Sequence, residues 1–337
     1  AGGLIPVIKH IALKPRSQGA GLFHMHHDLF MNGKVVAGGS ARHNRTNSEG
    51  CRSGGRSRNA LGSNKMLKKI IGGIVAATFM MSAQAASAAA CGNDASGFQA
   101  WVENFKQQAP SNGIPPQVVQ RAFAEVQYNR ATIRADRGQK SFKLSFDEFM
   151  KKRGGQAIIS RGKSMKASNA SLFSAIERRY GVPAGPLLAI WGMETGFGSF
   201  LGDQHTLSAV TTLAYDCRRS AFFTEQLYAA LQLVARGDLS TSARGAAHGE
   251  IGQTQFLPLN VIRYGADGDG DGHIDMVRSR ADALASTANF LVGHGWRAGA
   301  GYQPGQPNFV AIQGWNAASV YQQAIAIMGA QIDGETQ

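Results

Sequence analysis

The sequence predicts a mainly α-helical protein, in which one globular domain of about 245 residues follows an export leader. Three observations support this interpretation. Apolar residues recur at the helical spacing of 3.6 from Cys91 onward, and almost no segment alternates between apolar and polar residues as a half-buried strand does. The composition of the first 90 residues also differs from that of the remainder.

The charge is divided unevenly between the leader and the rest of the chain. Of the formal net charge of +13, residues 1–90 contribute +10, from 12 Lys and Arg against 2 Asp and Glu. The remaining 247 residues carry 23 basic and 20 acidic groups. Because no basic run interleaved with aromatic residues occurs after Ala90, the composition argues against a nucleic-acid-binding protein.

The leader divides into two parts. Residues 1–65 are rich in Gly, Ser, Arg, Asn and His, a composition that predicts disorder. Residues 66–90 have the layout of a secretory signal peptide: a basic start at Met66, an apolar run of 12 over 70–81, and small-x-small cleavage sites over 83–88. The run is too short to span a bilayer. We therefore expect translation to begin at Met66 and residues 1–65 to be a wrongly assigned extension.

Two of the three cysteines belong to the mature chain. Cys51 lies in the leader, Cys91 directly follows the cleavage sites, and Cys217 lies in the globular part. Since exported proteins meet oxidising conditions, a disulfide between Cys91 and Cys217 is predicted. The alternative is a lipoprotein acylated at Cys91, which is less favoured because the segment 88–90 lacks the Leu that usually begins a lipobox.

Helix boundaries follow from apolar faces, caps and breakers. A first helix has an apolar face that begins at Phe98 and is closed by Pro110-Ser111-Asn112-Gly113, and a second begins at Pro115-Pro116. Ser145 and Glu148 have the spacing of a capping box. We expect one domain over residues 91–337, with an additional N-terminal helical lobe. Later helices are predicted to end at Gly181 and to cover 186–195, 219–236, 280–293 and 316–330.

Glu194 is the first candidate for chemistry. It lies near the end of an apolar helix and is followed by the Gly-rich turn Thr195-Gly196-Phe197-Gly198. A carboxyl group buried at such a position has a raised pKa, which suits general-acid catalysis. The alternative is structural, with Glu194 capping the next turn or pairing with an Arg such as Arg218.

A second segment, residues 249–258, combines small residues with amides and an aromatic ring in Gly-Glu-Ile-Gly-Gln-Thr-Gln-Phe-Leu-Pro. Amides and aromatic rings beside a carboxyl group suit sugar recognition. The alternative is an ordinary loop. On either interpretation Pro258 is expected to begin a helix.

An acidic loop follows this segment and matches nine positions of an EF-hand loop. Three Asp residues separated by Gly repel one another without a cation, which favours calcium over a solvated turn. Position 12 fails because Arg278 replaces the Glu, and Asp282 is expected to supply the missing carboxylate. The predicted ligands are Asp267, Asp269, Asp271, the carbonyl of His273, Asp275 and Asp282.

Four ordered motifs give a family resemblance. The sequence E-T-x-F-G at Glu194, G-x-x-G-Q-T-Q-F-L-P at 249–258, the acidic loop at 267–275 and A-S-T-A-N-F-L-x-x-H-G-W at 285–296 resemble the bacterial lytic murein transglycosylases of the membrane-bound B type. The resemblance covers residues 91–330. It implies a lysozyme-like helical fold in a periplasmic enzyme.

The resemblance also implies an activity and a set of site residues. The expected substrate is the peptidoglycan glycan strand, whose MurNAc-GlcNAc β-1,4 bond is cleaved without water to leave 1,6-anhydro-MurNAc ends, with no organic cofactor. Glu194 matches the single catalytic acid and base. One position departs from the family, since Ala246 stands where a Ser is frequent. The residues that match the lining of the glycan groove are Gln255, Tyr264, Asn316 and Tyr321.

Two alternatives to this activity stay open from the sequence. A hydrolytic muramidase needs a second carboxylate to hold water or attack the sugar, and Asp203, Asp216 and Glu250 are the candidates. A non-catalytic, calcium-stabilised peptidoglycan-binding protein is the other alternative, against which the intact Glu194 and Gln255 argue.

Overall fold

The computed structural model describes residues 90–138 and 144–334. Within these ranges the chain forms thirteen α-helices and one antiparallel sheet of two short strands, which confirms the mainly helical prediction. The predicted disordered extension, and all of the predicted signal peptide except Ala90, lie outside the described residues. None of the described helices is long and apolar enough to cross a membrane.

The two longest connections between elements cover residues 265–279 and 294–308. In the sheet, Gln204 lies opposite Gly245 and His205 opposite Arg244. The strands are β1 (Gln204–His205) and β2 (Arg244–Gly245), and the helices are α1 (Phe98–Gln108), α2 (Pro116–Phe123), α3 (Arg130–Arg137), α4 (Phe146–Arg153), α5 (Gly155–Ser168), α6 (Ala170–Tyr180), α7 (Ala184–Thr195), α8 (Thr206–Tyr215), α9 (Ser220–Arg236), α10 (Pro258–Tyr264), α11 (Arg280–Gly293), α12 (Phe309–Trp315) and α13 (Ser319–Asp333).

Several predicted helix ends are confirmed. Ser145 and Glu148 form a complete capping box at the start of α4. A 3₁₀ turn extends α1 as far as Asn112, and Gly113 ends it with a φ of 83°. Gly181 ends α6 with a φ of 67°. A left-handed residue at a helix end is most readily glycine because glycine has no Cβ to clash.

The predicted start of the last helix at residue 316 is wrong. Asn316 is extended, with φ −148° and ψ 136°, and its side-chain Oδ1 accepts a hydrogen bond from the backbone N–H of Ala318. Such a local bond competes with the helical conformation, so α13 begins only at Ser319. The short helix α12, which ends at Trp315, was not predicted.

Helix α7 lies at the centre of the fold. All twelve of its residues are buried, and it packs chiefly against α13 and α5. A helix that is apolar on every side belongs in a protein interior. Burial of the whole helix fixes the position of Glu194, its second-last residue, within the core.

The N-terminal helices pack on α8 and α9. Phe98 of α1 contacts Tyr215 with ring centroids 5.6 Å apart. A disulfide joins Cys91 to Cys217 just beyond α8, and the Gly92 N–H donates to the Tyr215 carbonyl over 3.0 Å. The buried residues of α1 and α2 belong to the same core cluster as those of α7. A separate N-terminal lobe therefore stays a prediction.

Candidate active site

Glu194 lies where α7 ends in a left-handed turn. Gly196, Phe197 and Gly198 have φ values of 58°, 62° and 78°. The hydroxyl of Thr195 donates to the Gln253 carbonyl over 2.7 Å and accepts from the Gly198 N–H over 2.9 Å. These bonds connect the turn after Glu194 to the segment 249–258. The two motifs of the sequence are therefore in direct contact.

The carboxyl group of Glu194 is 2% exposed, and one of its oxygens accepts two hydrogen bonds. The Tyr321 hydroxyl donates to Oε1 over 2.7 Å and the Trp315 indole N–H donates to the same atom over 3.1 Å. Burial, together with the negative charge of Glu194, raises the pKa of Tyr321 well above its usual value. The Tyr321 hydroxyl therefore keeps its proton and remains a donor.

The structural alternative for Glu194 is wrong in one respect. Arg218 does not pair with Glu194: its guanidinium pairs with the Asp136 carboxylate and donates to the Asp136 carbonyl over 2.9 Å. The side chains that hold Glu194 are aromatic donors from the C-terminal part of the chain.

An aromatic cavity of about 210 Å³ shares Trp315 with this carboxyl group, although Glu194 is not one of its lining residues. Trp315 joins the two, since its ring lines the cavity while its N–H reaches Glu194. Tyr264, predicted as a groove residue, also lines the cavity. The lining residues are Phe222, Gln226, Phe256, Leu257, Leu259, Asn260, Arg263, Tyr264, Phe290, His294 and Trp315.

Gln255 lies in a strained turn next to the cavity. Its φ is 55°, and its amide donates to the carbonyls of Gly252 and Leu201 over 2.8 and 3.2 Å. The neighbouring Phe256 ring lies 5.5 Å from the Trp315 ring. The expectation that Pro258 begins a helix is confirmed by α10.

The predicted groove residues thus fall into two groups. Tyr321 contacts Glu194 directly, and Tyr264 lines the cavity. Gln255 and Asn316 are each next in sequence to an aromatic residue that lines the cavity. Ala246 is buried, and its backbone N–H donates to the Glu250 carbonyl over 3.2 Å.

Three aromatic residues at the site were not among the predicted groove residues. Phe256, Phe290 and Trp315 pack edge to face, with centroids 5.1 to 5.8 Å apart. Phe256 and Phe290 lie in two of the motifs that carry the resemblance, and Trp315 precedes the predicted groove residue Asn316, so the signal was present in the sequence. Helical or strand periodicity does not distinguish an aromatic residue that lines a cavity from one in the core.

The acidic loop brings together three of its predicted ligands. Asp267, Asp269 and Asp282 each place a carboxylate oxygen within 4.8 Å of the other two. Asp282 is fully buried and accepts from the backbone N–H groups of Gly268 and Asp275 over 2.8 and 2.7 Å. Burial raises the pKa of the Asp282 carboxyl group. The cost of a carboxylate buried beside two others is removed either by protonation or by a nearby cation.

The other predicted ligands make different contacts. Asp271 accepts from the His273 N–H over 2.8 Å, and Asp275 accepts from the Arg278 side chain over 2.6 Å. The His273 ring lies 3.6 Å from the carboxylate of Asp238. These side chains therefore lie outside the cluster of three.

The three carboxylates considered as a second catalytic group are engaged elsewhere. Asp216 pairs with Arg137 over 2.6 Å, and Glu250 contacts the His248 ring over 3.2 Å. Asp203 is exposed and accepts from the neighbouring Gln204 amide over 2.6 Å.

Comparison with known proteins gives a consistent result. The family model described as the transglycosylase SLT domain matches residues 97–304. Membrane-bound lytic murein transglycosylase B of Escherichia coli K12 is 36% identical over 139 residues, which are 38% of this chain and 38% of that protein. The chain thus matches 38% of the length of this curated relative.

Solved structures of similar proteins cover more of the chain. SltB3 from Pseudomonas aeruginosa, in complex with NAG-anhNAM-pentapeptide, is 30% identical with a TM-score of 0.67, covering 71% of this chain and 80% of that one. Escherichia coli Slt35, in complex with calcium, is 21% identical with a TM-score of 0.61, covering 73% and 96%. The second similarity supports the fold alone.

Proposed function

The chain belongs to the transglycosylase SLT domain family, and from this membership we propose that it is a lytic transglycosylase of peptidoglycan. It cleaves the MurNAc-GlcNAc β-1,4 bond and leaves 1,6-anhydro-MurNAc ends, with Glu194 as the single acid and base. The observation that carries the proposal is the buried Glu194 carboxyl group, held by two donors beside an aromatic cavity.

The hydrogen bonds to Glu194 give its two oxygens different roles. Both lone pairs of Oε1 are taken by Tyr321 and Trp315, so the transferable proton resides on Oε2. That proton passes to the glycosidic oxygen as its bond to C1 breaks. The carboxylate then takes the proton of the C6 hydroxyl while O6 bonds to C1. The proton on Glu194 is restored and no water is consumed.

The surroundings of the other carboxylates favour this cycle over hydrolysis. A hydrolase of the usual type uses a pair of carboxyl groups that flank the scissile bond. Asp216 and Glu250 are held by Arg137 and His248, and Asp203 lies exposed. With two of these carboxylates paired and the third exposed, Glu194 is the candidate catalytic group, and this is the basis for proposing an intramolecular reaction.

The aromatic cavity is proposed to bind the glycan. Apolar sugar faces pack on aromatic rings, while polar groups such as the amides of Gln255 and Asn316 orient the hydroxyls. Tyr264 contributes its ring to the wall, and Tyr321 acts through Glu194. The related SltB3, which binds NAG-NAM-pentapeptide in a solved structure, supports a glycan with a stem peptide as the ligand class.

We also propose that the acidic loop binds one calcium ion with a structural role. Calcium takes 6–8 oxygen ligands, and the three carboxylates of Asp267, Asp269 and Asp282 provide a suitable set. Asp271, Asp275 and the His273 carbonyl lie on the same loop and complete the proposed ligand set. The loop directly follows α10, which ends at Tyr264, so the ion stabilises one wall of the aromatic cavity.

The proposed location is the periplasm, reached through cleavage of a signal peptide at residues 66–90. The proposed catalytic domain covers residues 91–337 and includes the N-terminal helical lobe. The murein enzymes among the relatives support an extracytoplasmic substrate. The sequence favours free export over acylation of Cys91.

Digestion of purified sacculi tests the activity directly. The mature protein is incubated with sacculi, and the soluble muropeptides are separated and weighed by mass spectrometry. Products with anhydro-muramyl ends, lighter than the reducing products by one water, are expected. Reducing ends identify a muramidase instead, and sacculi that are bound but not cut identify a binding protein.

A further inference from the structure

A cation is connected to the proposed catalytic carboxyl group through two aromatic rings. Arg153 is the last residue of α4, and its guanidinium lies over the Phe149 ring at 5.5 Å from the centroid. Phe149 is 1% exposed and meets the Tyr321 ring edge to face at 6.0 Å. Tyr321 in turn donates to Glu194. A continuous series of contacts therefore runs from the guanidinium through two rings to the carboxyl group.

The position of Arg153 differs from that of its basic neighbours. Lys151 and Lys152, in the same last turn of α4, are exposed, whereas Arg153 is half-buried. Burial lowers the pKa of Arg153, and the interactions with Tyr321 and with the Glu194 carboxylate oppose that shift. Because arginine stays protonated in proteins, the group remains a permanent positive charge close to the site.

We propose that Arg153 is a positioning residue that acts through Glu194: its charge stabilises the carboxylate formed when Glu194 gives its proton to the glycosidic oxygen. The role rests on the proposed function. A positive charge favours the ionised form of a nearby carboxyl group, and low local polarity strengthens the effect. The cation is not consumed and does not need to touch the sugar.

Other charged groups around α7 make different contacts. Lys166 of α5 pairs with Asp333 of α13 near the opposite end of α7, where Asp333 also accepts from the Gly185 N–H. Arg161 of α5 lies over the Phe197 ring at 5.2 Å. On α11, Asp282 belongs to the acidic loop. On α13, Tyr321 is the titratable donor already described.

The test compares the Arg153→Met and Arg153→Lys variants with wild type. The methionine has a similar length without the charge, and Lys152→Met is the matched control at an exposed position. For Arg153→Met we expect kcat about tenfold lower with little change in KM. The alkaline limb of the pH profile should move up by about one unit, because the acid form of Glu194 persists to higher pH. Arg153→Lys should retain most of the wild-type profile.

A second readout does not depend on activity. Glutamate labelled with ¹³C at the side-chain carboxyl is titrated by NMR, with the Glu194 resonance identified by its loss in Glu194→Gln. The midpoint should be about one unit higher in Arg153→Met than in wild type or Arg153→Lys. An unchanged midpoint in folded Arg153→Met, or an equal shift in Lys152→Met, overturns the proposal. Wild-type protein that leaves sacculi uncut refutes the proposed function alone, since the titration remains readable.

Discussion

The chemistry of the site depends on how two side chains bind the carboxyl group of Glu194. Tyr321 and Trp315 both donate to Oε1 of Glu194, and both residues are more than nine-tenths buried. Burial disfavours a charged carboxylate, whereas two hydrogen-bond donors favour it. A group that acts first as an acid and then as a base needs both influences. Neither burial alone nor the two donors alone would balance the acid form of Glu194 against its ionised form.

Replacing Glu194 with Gln should abolish catalysis while leaving the groove intact. The amide has a similar size but carries no transferable proton, so protonation of the leaving oxygen fails. General acid-base catalysis contributes about 10² to 10⁴ in rate, and a loss at or beyond the upper end is expected because one group serves both steps. Initial rates on sacculi and a sacculus pull-down measure the two properties.

Asp203→Asn is the matched control, because it removes an exposed carboxylate without touching the site. It should keep wild-type rates, and binding of Glu194→Gln to sacculi should be nearly unchanged. Retention of more than about a tenth of wild-type turnover in Glu194→Gln would contradict the assignment. Glu250 would then be the next carboxylate to examine.

At the scale of the element, the sequence predicted helices with clear ends better than helices without a polar face. The capping box at Ser145 and the turn glycine Gly181 are local signals, and both ends are confirmed. Helix α8 has all ten residues buried, so it lacks the amphipathic period on which prediction depends. The extended Asn316 depends on a local side-chain bond that apolar spacing does not reveal.

The same distinction applies to the site. The burial of Glu194 was predictable because an apolar helix ends in a Gly-rich turn. Its partners were not, since Trp315 and Tyr321 are more than 120 residues away in the sequence, and only the packing of α13 on α7 and of α12 on α13 brings them close. For the acidic loop, the sequence predicted six ligands, and the carboxylates of three of them lie close together in the structure.

Removal of calcium should destabilise the acidic loop and the start of α11. With calcium at about 100 times its Kd, binding adds about 2.7 kcal/mol to the free energy of unfolding. Excess chelator should therefore lower the Tm by about 5 °C or more in a domain of this size. Differential scanning calorimetry with calcium and with chelator measures the shift.

Asp282→Asn should reduce the calcium-dependent part of that shift, because it removes the buried charge from the cluster. Asp203→Asn again serves as the control and should respond to calcium as wild type does. Identical melting curves of the wild-type protein in both conditions would argue against the metal site.

At the scale of the whole molecule, the Cys91–Cys217 disulfide attaches the beginning of the domain to the end of α8. The bridge spans 126 positions of the sequence. In the chain-entropy model a loop of this size contributes about 5 kcal/mol by restricting the unfolded chain. The bond thus acts on the N-terminal helices and the central core together.

Replacing both cysteines with Ser should lower the Tm by about 10 °C or more without changing the reaction products. Thermal melts of the exported protein and of the double variant measure the loss. Intact-mass analysis of the exported protein should give an N-terminus between Ala86 and Cys91 and no free thiol. Two free thiols, or a diacylglycerol on Cys91, would contradict this expectation.

The left-handed backbone at Phe197 and Gln255 sets a limit on how far the fold can be optimised. Left-handed conformations outside glycine cost about 1 to 3 kcal/mol each when the surroundings enforce them, and the two residues lie in the two segments that the Thr195–Gln253 hydrogen bond joins. Glycine at either position would relieve the cost and remove a side chain from one of these segments. Selection for thermostability alone would therefore favour the loss of these side chains, so the engineering of thermostable variants should leave these two positions unchanged.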